Sequence, residues 1–299
     1  MSNRTVAAVE SPSRKLWRAF SSDWIALGGL IVLCMLLLAA IFAPWLVPQN
    51  PYDLAQLDIL DGRLPPWSRS FDDKMLYWLG TDDQGRDMYS AIIYGMRISL
   101  GVGLVSTLGA LVIGMTLGLT AAYLGGKTDS VIMRIVDIQL SFPTILIALI
   151  LLAVFGQGLS KIIIALITVQ WAYYARTVRS AALVEMGKEY IEAARCLDLS
   201  HRRIIFAHLL PNCMAPLIVV AAMQIAAAIA LEATLSFLGL GLPITEPSLG
   251  LLISNGYAYL MSGKYWISFF PGLALLIMIV SINLVADRLR DILNPRLQK

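Results

Sequence analysis

Long charge-free stretches alternate with short charged segments along the chain, and the charge-free stretches predict helices that cross a membrane. A bilayer core about 30 Å thick requires roughly 20 apolar residues of helix. Six stretches are candidates for such spans: 24–47, 98–126, 138–160, 162–175, 204–231 (starting near Pro211) and 265–286. The fourth holds only 14 uncharged residues, so it spans only if Lys161 reaches the interface and the helix continues past Arg176.

The composition agrees with lipid as the solvent for most of the chain. Of the 299 residues, 58% are apolar and 14% are charged, whereas soluble domains are about 45–50% apolar and about 25% charged. These values exclude a secreted module, a disordered chain and an ordinary cytosolic enzyme. The net charge of +3 is too small to indicate a nucleic-acid partner, and the three cysteines lack the spacing of a disulfide framework or a metal site. The sequence therefore predicts an all-α membrane protein surrounded by lipid.

The positions of lysine and arginine predict the orientation of the six spans. With a cytoplasmic N-terminus, the inside segments carry sixteen basic residues and the outside segments carry seven. Both termini are therefore predicted to be cytoplasmic. The chain then divides into a cytoplasmic tail (1–23), a first span (24–47), an outer loop (48–96), a domain of five helices (97–287) and a second cytoplasmic tail (288–299).

The first tail has an amphipathic pattern. Leu16, Trp17, Phe20 and Trp24 repeat at helical spacing, with basic residues between them. This pattern predicts a short helix lying in the cytoplasmic membrane interface. The alternative is a basic tail that only sets the topology.

The largest inside segment, residues 185–212, is the candidate for contact with a soluble partner. Its helix-forming residues predict one short helix over 188–197 and a second helix N-capped by Ser200, with Pro211 after that helix or at the start of the next. Small alanines would allow a partner to approach closely, and the charged residues would fix its register. An ordinary amphipathic connector is the alternative interpretation.

Several motifs in a fixed order carry a resemblance to a known family. Glu192-Ala193-Ala194, followed by Pro211, resembles the EAA loop of permease subunits from binding-protein-dependent ABC importers. Further motifs are similar to those of the dipeptide and oligopeptide (nickel–peptide) branch: Leu79-Gly80-Thr81-Asp82, Gly85-Arg86-Asp87, Arg134-x-x-Asp137 with Phe142-Pro143, Ser236-Phe237-Leu238-Gly239-Leu240-Gly241, Phe270-Pro271-Gly272 and Asp287-Arg288-Leu289-Arg290-Asp291. The resemblance covers nearly the whole chain from Trp17 onward.

The resemblance implies a type I ABC importer permease fold with six transmembrane helices, in a bacterial inner membrane, with the 48–96 loop in the periplasm. It also implies a second, related permease subunit, two cytosolic ATPase subunits and a periplasmic substrate-binding protein as partners. The implied substrates are di- or oligopeptides, although relatives carry nickel chelates, opines or sugars. This chain would have no catalytic residue, no metal and no cofactor of its own, since ATP and magnesium would bind to the ATPases.

In the family, the segment matching residues 188–211 couples the permease to the ATPases. The matching residues are Glu192, Ala193, Ala194, Asp198, Arg202, Arg203 and Pro211. Asp198 departs from the family pattern, which has a glycine at the turn between the two coupling helices. Aspartate adopts the left-handed conformation of such a turn at a cost of roughly 1–2 kcal/mol. We therefore expect the turn to form with Asp198 in that conformation.

Two carboxylates at or near membrane depth are candidates for the transport pathway. Glu232 is expected either to face the pathway and meet a substrate ammonium, or to be protonated or bonded to the backbone of a neighbouring helix. Asp137 is expected to form an i,i+3 ion pair with Arg134. If both carboxylates bound protons or cations instead, the chain would be an autonomous ion-coupled secondary transporter. The sequence contains no inverted repeat that would favour this alternative.

Overall fold

The computed structural model describes residues 12–293 apart from 244 and 247, and most of these residues are helical. The parts of the two predicted tails at 1–11 and 294–299 lie outside the described residues. The helices are α1 (Pro12–Ser21), α2 (Trp24–Ile41), α3 (Ala43–Leu46), α4 (Met88–Leu124), α5 (Gly126–Ser141), α6 (Thr144–Phe155), α7 (Leu159–Met186), α8 (Glu189–Cys196), α9 (His201–Arg203), α10 (Leu210–Phe237), α11 (Leu249–Tyr257) and α12 (Trp266–Leu293). A π-helical turn, Ile204–Leu209, joins α9 to α10.

Among the described residues, four helical segments are long and apolar enough to cross a membrane: Trp24–Ile41, Met88–Leu124, His201–Phe237 and Trp266–Leu293. α5 and α6 together would form a fifth crossing, although they meet at 91°. α7 is less apolar and is not among them, but it continues past Arg176 to Met186, as the fourth predicted span requires. The helical, multi-pass architecture is confirmed, while the count of six spans and the side on which the termini lie stay predictions.

The third predicted span, 138–160, is wrong as a single straight helix. α5 ends at Ser141, and Phe142 has an extended backbone with φ −94° and ψ 144°. Pro143 explains the break, because its ring disfavours helical backbone at the preceding residue and it has no N–H to donate. At the break, the Ser141 hydroxyl donates to the Asp137 carbonyl oxygen at 2.6 Å.

α4 and α7 pack closely at the centre of the bundle. α4 begins at Met88, earlier than the charge-free stretch suggests, because the Asp87 carboxylate accepts the Ser90 N–H at 2.9 Å and caps the helix. Further along, a Cβ added at Gly118 would lie 2.5 Å from the Ala175 carbonyl oxygen. Gly114 meets the backbone of α7 in the same way. The two glycines therefore permit the close approach of these helices.

Residues 48–87 fold as one polar segment at one end of the bundle. It contains two 3₁₀ turns and a short antiparallel hairpin of β1 (Ser68–Arg69) and β2 (Leu76–Tyr77). The Asp61 carboxylate joins these parts, since it accepts the Tyr77 hydroxyl at 2.8 Å and the Phe71 N–H at 2.7 Å. This segment carries the family motif around Asp82, whose side chain is fully buried.

At the opposite end, α12 holds the first two helices in place. The Arg288 guanidinium donates to the Ala19 carbonyl oxygen and, at 3.0 Å, to the Ser22 hydroxyl. α1 forms where the amphipathic pattern predicts a helix, with Phe20 buried and Trp17 exposed. Its placement in a membrane interface stays a prediction.

Candidate functional site

The segment predicted to contact a partner, residues 188–211, folds as a helix, a tight turn and a second helix; we call it the coupling segment. α8 forms the first helix, and α9 continues through the π-helical turn into α10 without interruption. Pro211 lies in the first turn of α10, where the wider π turn before it accommodates a residue that cannot donate an N–H. The predicted helix-turn-helix is present, and its second helix extends into a membrane span.

The turn between the two helices is a Schellman motif with Asp198 at its left-handed position. The Leu199 N–H donates to the Ala194 carbonyl oxygen at 3.2 Å, and the Asp198 N–H donates to the Arg195 carbonyl oxygen at 3.0 Å. Asp198 has φ +51°, as expected from the sequence. The turn therefore forms although glycine, the usual residue there, is absent.

One face of the coupling segment packs on its own chain. Ile191, Ala194 and Ile204 are buried together, with Tyr123 of α4 and Leu199 packed against them. Ala194 is only 4% exposed. Its small side chain therefore serves the packing of α8 on this chain, while a role of Ala194 in coupling stays a prediction.

The other face of the coupling segment is exposed. Glu192, Ala193, Arg202 and Arg203 all lie on it. Within the described residues, the three charged side chains of this group have no ion-pair partner. An exposed alanine between unpaired charges of both signs is a surface that a partner with complementary charges can approach closely.

Two polar contacts tie the coupling segment to the bundle. The Tyr123 hydroxyl lies 2.5 Å from Nδ1 of His201 and joins α4 to α9. The Glu185 carboxylate, at the end of α7, accepts the Lys188 ammonium at 2.7 Å and the Tyr190 hydroxyl at 2.6 Å. Burial and the neighbouring Glu185 carboxylate raise the pKa of Tyr190 to about 12. The sequence gives no signal for the Tyr123–His201 contact, because helix periodicity relates only residues a few positions apart.

The acidic residues of α5 pair with α7. Asp137 Oδ1 lies 2.6 Å from Arg176 Nη2, so Asp137 pairs with α7 instead of with Arg134, and the predicted i,i+3 pair is wrong. Arg179 binds Asp129 with two hydrogen bonds of 2.8 and 2.6 Å. Sequence reasoning missed the second pair. The opposite charges across two helices become neighbours only when α5 folds back along α7.

Glu232 lies inside the bundle. Its side chain is 0% exposed and accepts the Ser99 hydroxyl of α4 at 3.0 Å and the Ser236 hydroxyl at 2.7 Å. Among the described residues, no hydrogen bond joins Glu232 to Asp137, which pairs with Arg176. This placement favours a hydrogen-bonding role within the chain, although the partners are serine hydroxyls rather than the expected backbone. A role of Glu232 in the pathway stays a prediction.

Comparisons with known proteins agree along the whole chain. Residues 86–299 match the family described as "Binding-protein-dependent transport system inner membrane component", and residues 11–66 match the "N-terminal TM domain of oligopeptide transport permease C". The di/tripeptide transport system permease protein DppC of Pseudomonas aeruginosa (strain UCBPP-PA14) is 37% identical over 288 residues, which cover 96% of this chain and 93% of that protein. The dipeptide transport system permease protein DppC of Escherichia coli (strain K12) is 39% identical over 289 residues, covering 97% and 95%.

The fold is similar to that of a solved transporter. A structure of the MetNI methionine ABC transporter in an inward-facing conformation aligns with a TM-score of 0.57 and 22% identity, covering 69% of this chain and 97% of that one. The similarity confirms the predicted importer permease fold.

Proposed function

The chain belongs to the binding-protein-dependent transport system inner membrane components and is a multi-pass permease subunit of an ABC importer; from this premise we propose that it carries di- or oligopeptides. The proposal is supported by the relatives from P. aeruginosa and E. coli, whose names specify di/tripeptide and dipeptide transport. The match of residues 11–66 to an oligopeptide permease domain supports the same substrate class.

The proposed partners are a second, related permease subunit, two cytosolic ATPase subunits and a periplasmic substrate-binding protein. The permease provides half of the translocation pathway, and the ATPases bind ATP and magnesium. No cofactor is assigned to this chain. An autonomous secondary transporter is not proposed, because family membership assigns the chain to an importer that depends on a binding protein.

The exposed face of α8 is the observation that carries the proposed coupling to an ATPase. Its unpaired Glu192 and exposed Ala193 stand on a helix that is fixed to the bundle on its other face. A force applied to α8 by a bound ATPase would therefore reach α4 through the packing of Ile191 and Ala194 with Tyr123, and α7 through the hydrogen bond from Tyr190 to Glu185. These contacts make α8 a rigid extension of the membrane helices.

The test is the variant Glu192→Ala, measured as substrate-stimulated ATP hydrolysis and uptake by the whole complex in proteoliposomes. Loss of a charge-assisted hydrogen bond at the interface costs roughly 1.5–3 kcal/mol. We expect weaker ATPase association and uncoupled transport, with unchanged affinity of the binding protein for its substrate. Glu246→Ala, which removes an exposed carboxylate from the loop between α10 and α11, is the matched control.

A second variant separates docking from folding. Ala193→Leu adds bulk to the exposed face and should block the ATPase, whereas Ala194→Leu would disturb the chain's own packing. Normal coupling in both Glu192→Ala and Ala193→Leu would show that α8 is not the coupling element.

A further inference from the structure

A groove of about 550 Å³ opens on the side of the bundle between α2 and α4, with α10 and α12 at its base. Its lining is apolar except for Arg97, and includes Leu33, Leu37, Leu104 and Ile225. The volume lies within the range of about 300–1,000 Å³ that is usual for ligand sites. All four elements around the groove are helices that qualify as membrane spans, so the groove opens toward lipid.

Arg97 lies at the end of the groove nearest the polar segment 48–87. It follows Tyr94 by one helical turn, and the Tyr94 carbonyl oxygen accepts the hydroxyl of Tyr52 from that segment at 3.3 Å. It shares the groove with Ile41, the last residue of α2. Arg97 is therefore level with the end of a span, where lipid headgroups lie.

The guanidinium of Arg97 is available to a ligand. The side chain is exposed, and no hydrogen-bond or ion-pair partner for it exists among the described residues. A cation at the edge of an apolar groove is stabilised by an anionic group beside it. Arginine pairs with phosphate through two parallel hydrogen bonds and is well suited to phosphate recognition.

We propose that this groove binds a phospholipid from the leaflet next to segment 48–87, with the lipid phosphate on Arg97 and an acyl chain along α4 and α10. From Arg97 and Ile41 the lining continues to Leu33 and Ala222, which lie near the middle of their helices. Arg97 thus lies at the level of a lipid headgroup, and the apolar lining extends from it toward the middle of the membrane, as an acyl chain does.

Two variants test the two parts of the site. Arg97→Gln removes the charge, and Gly101→Leu fills the apolar part. A Cβ added at Gly101 meets no atom within 4 Å, so the larger side chain fits without moving the backbone. Gly272→Leu is the matched control, because Gly272 has equally open space in α12 but does not line the groove. Arg69→Gln is the control for loss of an exposed cation.

The experiment uses the full chain, purified from its membrane together with the subunits that accompany it. Retained phospholipid is counted per protein by mass spectrometry, and phosphatidylglycerol is then titrated onto the delipidated complex. We expect Arg97→Gln to weaken phosphatidylglycerol binding about tenfold, the effect of one lost charge-assisted contact. Gly101→Leu should weaken binding to a similar extent, because its side chain takes the space of the acyl chain. Gly272→Leu and Arg69→Gln should bind within a few-fold of the unmodified chain. Arg97→Lys keeps the charge but loses the two parallel hydrogen bonds, so it should bind more weakly than the unmodified chain and more tightly than Arg97→Gln.

Unchanged lipid retention in both Arg97→Gln and Gly101→Leu would overturn the proposal. It would also be overturned if Gly101→Leu released a co-purifying membrane subunit while the remaining chain kept its lipid. The groove would then be an interface between permease subunits. Neither outcome bears on the transported substrate, so the proposed function is tested separately.

Discussion

Asp198 adopts a backbone conformation that few residues other than glycine adopt. With φ +51°, it occupies the position that ends α8 in a Schellman motif, and its side chain is exposed. Aspartate is among the few residues other than glycine that adopt this conformation readily. The turn orients α8 relative to α9, so the exposed face of the coupling segment depends on it.

Two substitutions at Asp198 should differ in their effects. Asp198→Gly removes the Cβ and should leave transport near normal. Asp198→Val places a β-branched residue at positive φ and should cost about 1–2 kcal/mol, because its side chain crowds the backbone there. Both variants can be compared with the unmodified complex by measuring uptake and substrate-stimulated ATP hydrolysis in proteoliposomes. A severe loss in Asp198→Gly would show that the carboxylate itself contacts the ATPase.

Among the elements, segment 48–87 is distinguished by a buried charged pair. Asp82 and Arg86 are both 0% exposed, and Asp82 Oδ2 lies 3.7 Å from Arg86 Nη1. The Asp82 carboxylate also accepts the N–H groups of Gln84 and Arg86 at 2.9 Å. Burial raises the pKa of Asp82 to about 6, even though the charge of Arg86 acts in the opposite direction. The segment should consequently respond to mild acid.

Segment 48–87 should become more stable as the pH falls from 7 to 5. Over this range folded Asp82 takes up a proton, whereas the unfolded chain does so only near pH 4, so the unfolding free energy rises by roughly 1 kcal/mol. This rise in unfolding free energy can be measured by hydrogen exchange of the segment's backbone amides, after correction for the intrinsic pH dependence of exchange. Asp82→Asn should remove most of the effect, because burial also raises the pKa of Asp87 in this segment. Asp72→Asn should keep the effect, because Lys74 lowers the pKa of Asp72 to about 2. Lower protection at pH 5 would contradict this expectation.

The sequence predicts the helices well but not where they bend. Pro143 separates two helices, whereas Pro216 and Pro271 lie inside α10 and α12 without ending them. A proline alone therefore does not decide whether a helix ends or continues, because neighbouring helices in a membrane can provide new partners for the backbone groups that the proline leaves without a hydrogen bond. At the candidate site, the turn at Asp198 followed from local chemistry. The Tyr123–His201 contact and the Asp137–Arg176 pair join distant helices, which periodicity cannot relate.

For the whole molecule, the distribution of basic residues predicts an orientation in the membrane that cysteine labelling can test. Cysteines introduced at Trp67 and Lys264 should react with an impermeant reagent from the periplasm, while cysteines at Lys127 and Lys188 should not, because basic residues favour the cytoplasmic side. Cys34 and Cys196 are exposed and must first be replaced, whereas Cys213 is buried. Labelling of Lys127 and Lys188 positions alone would mean that the orientation is reversed and that α8 faces away from any cytosolic ATPase.

The glycine contacts between α4 and α7 limit how the molecule can move. At Gly118 and Ala175 the two backbones are so close that no side chain fits between them. Sliding one helix along the other would bring larger side chains to this position, where they would clash. The pair is therefore expected to tilt together as a single body. α8 packs on Tyr123 of α4 through Ile191 and Ala194, and Tyr190 of α8 donates a hydrogen bond to Glu185 of α7, so a push on α8 is transmitted to both long helices. A displacement of a few ångströms at the end that carries α8 would swing the far ends of both helices, with the pivot set by the helices that pack around them.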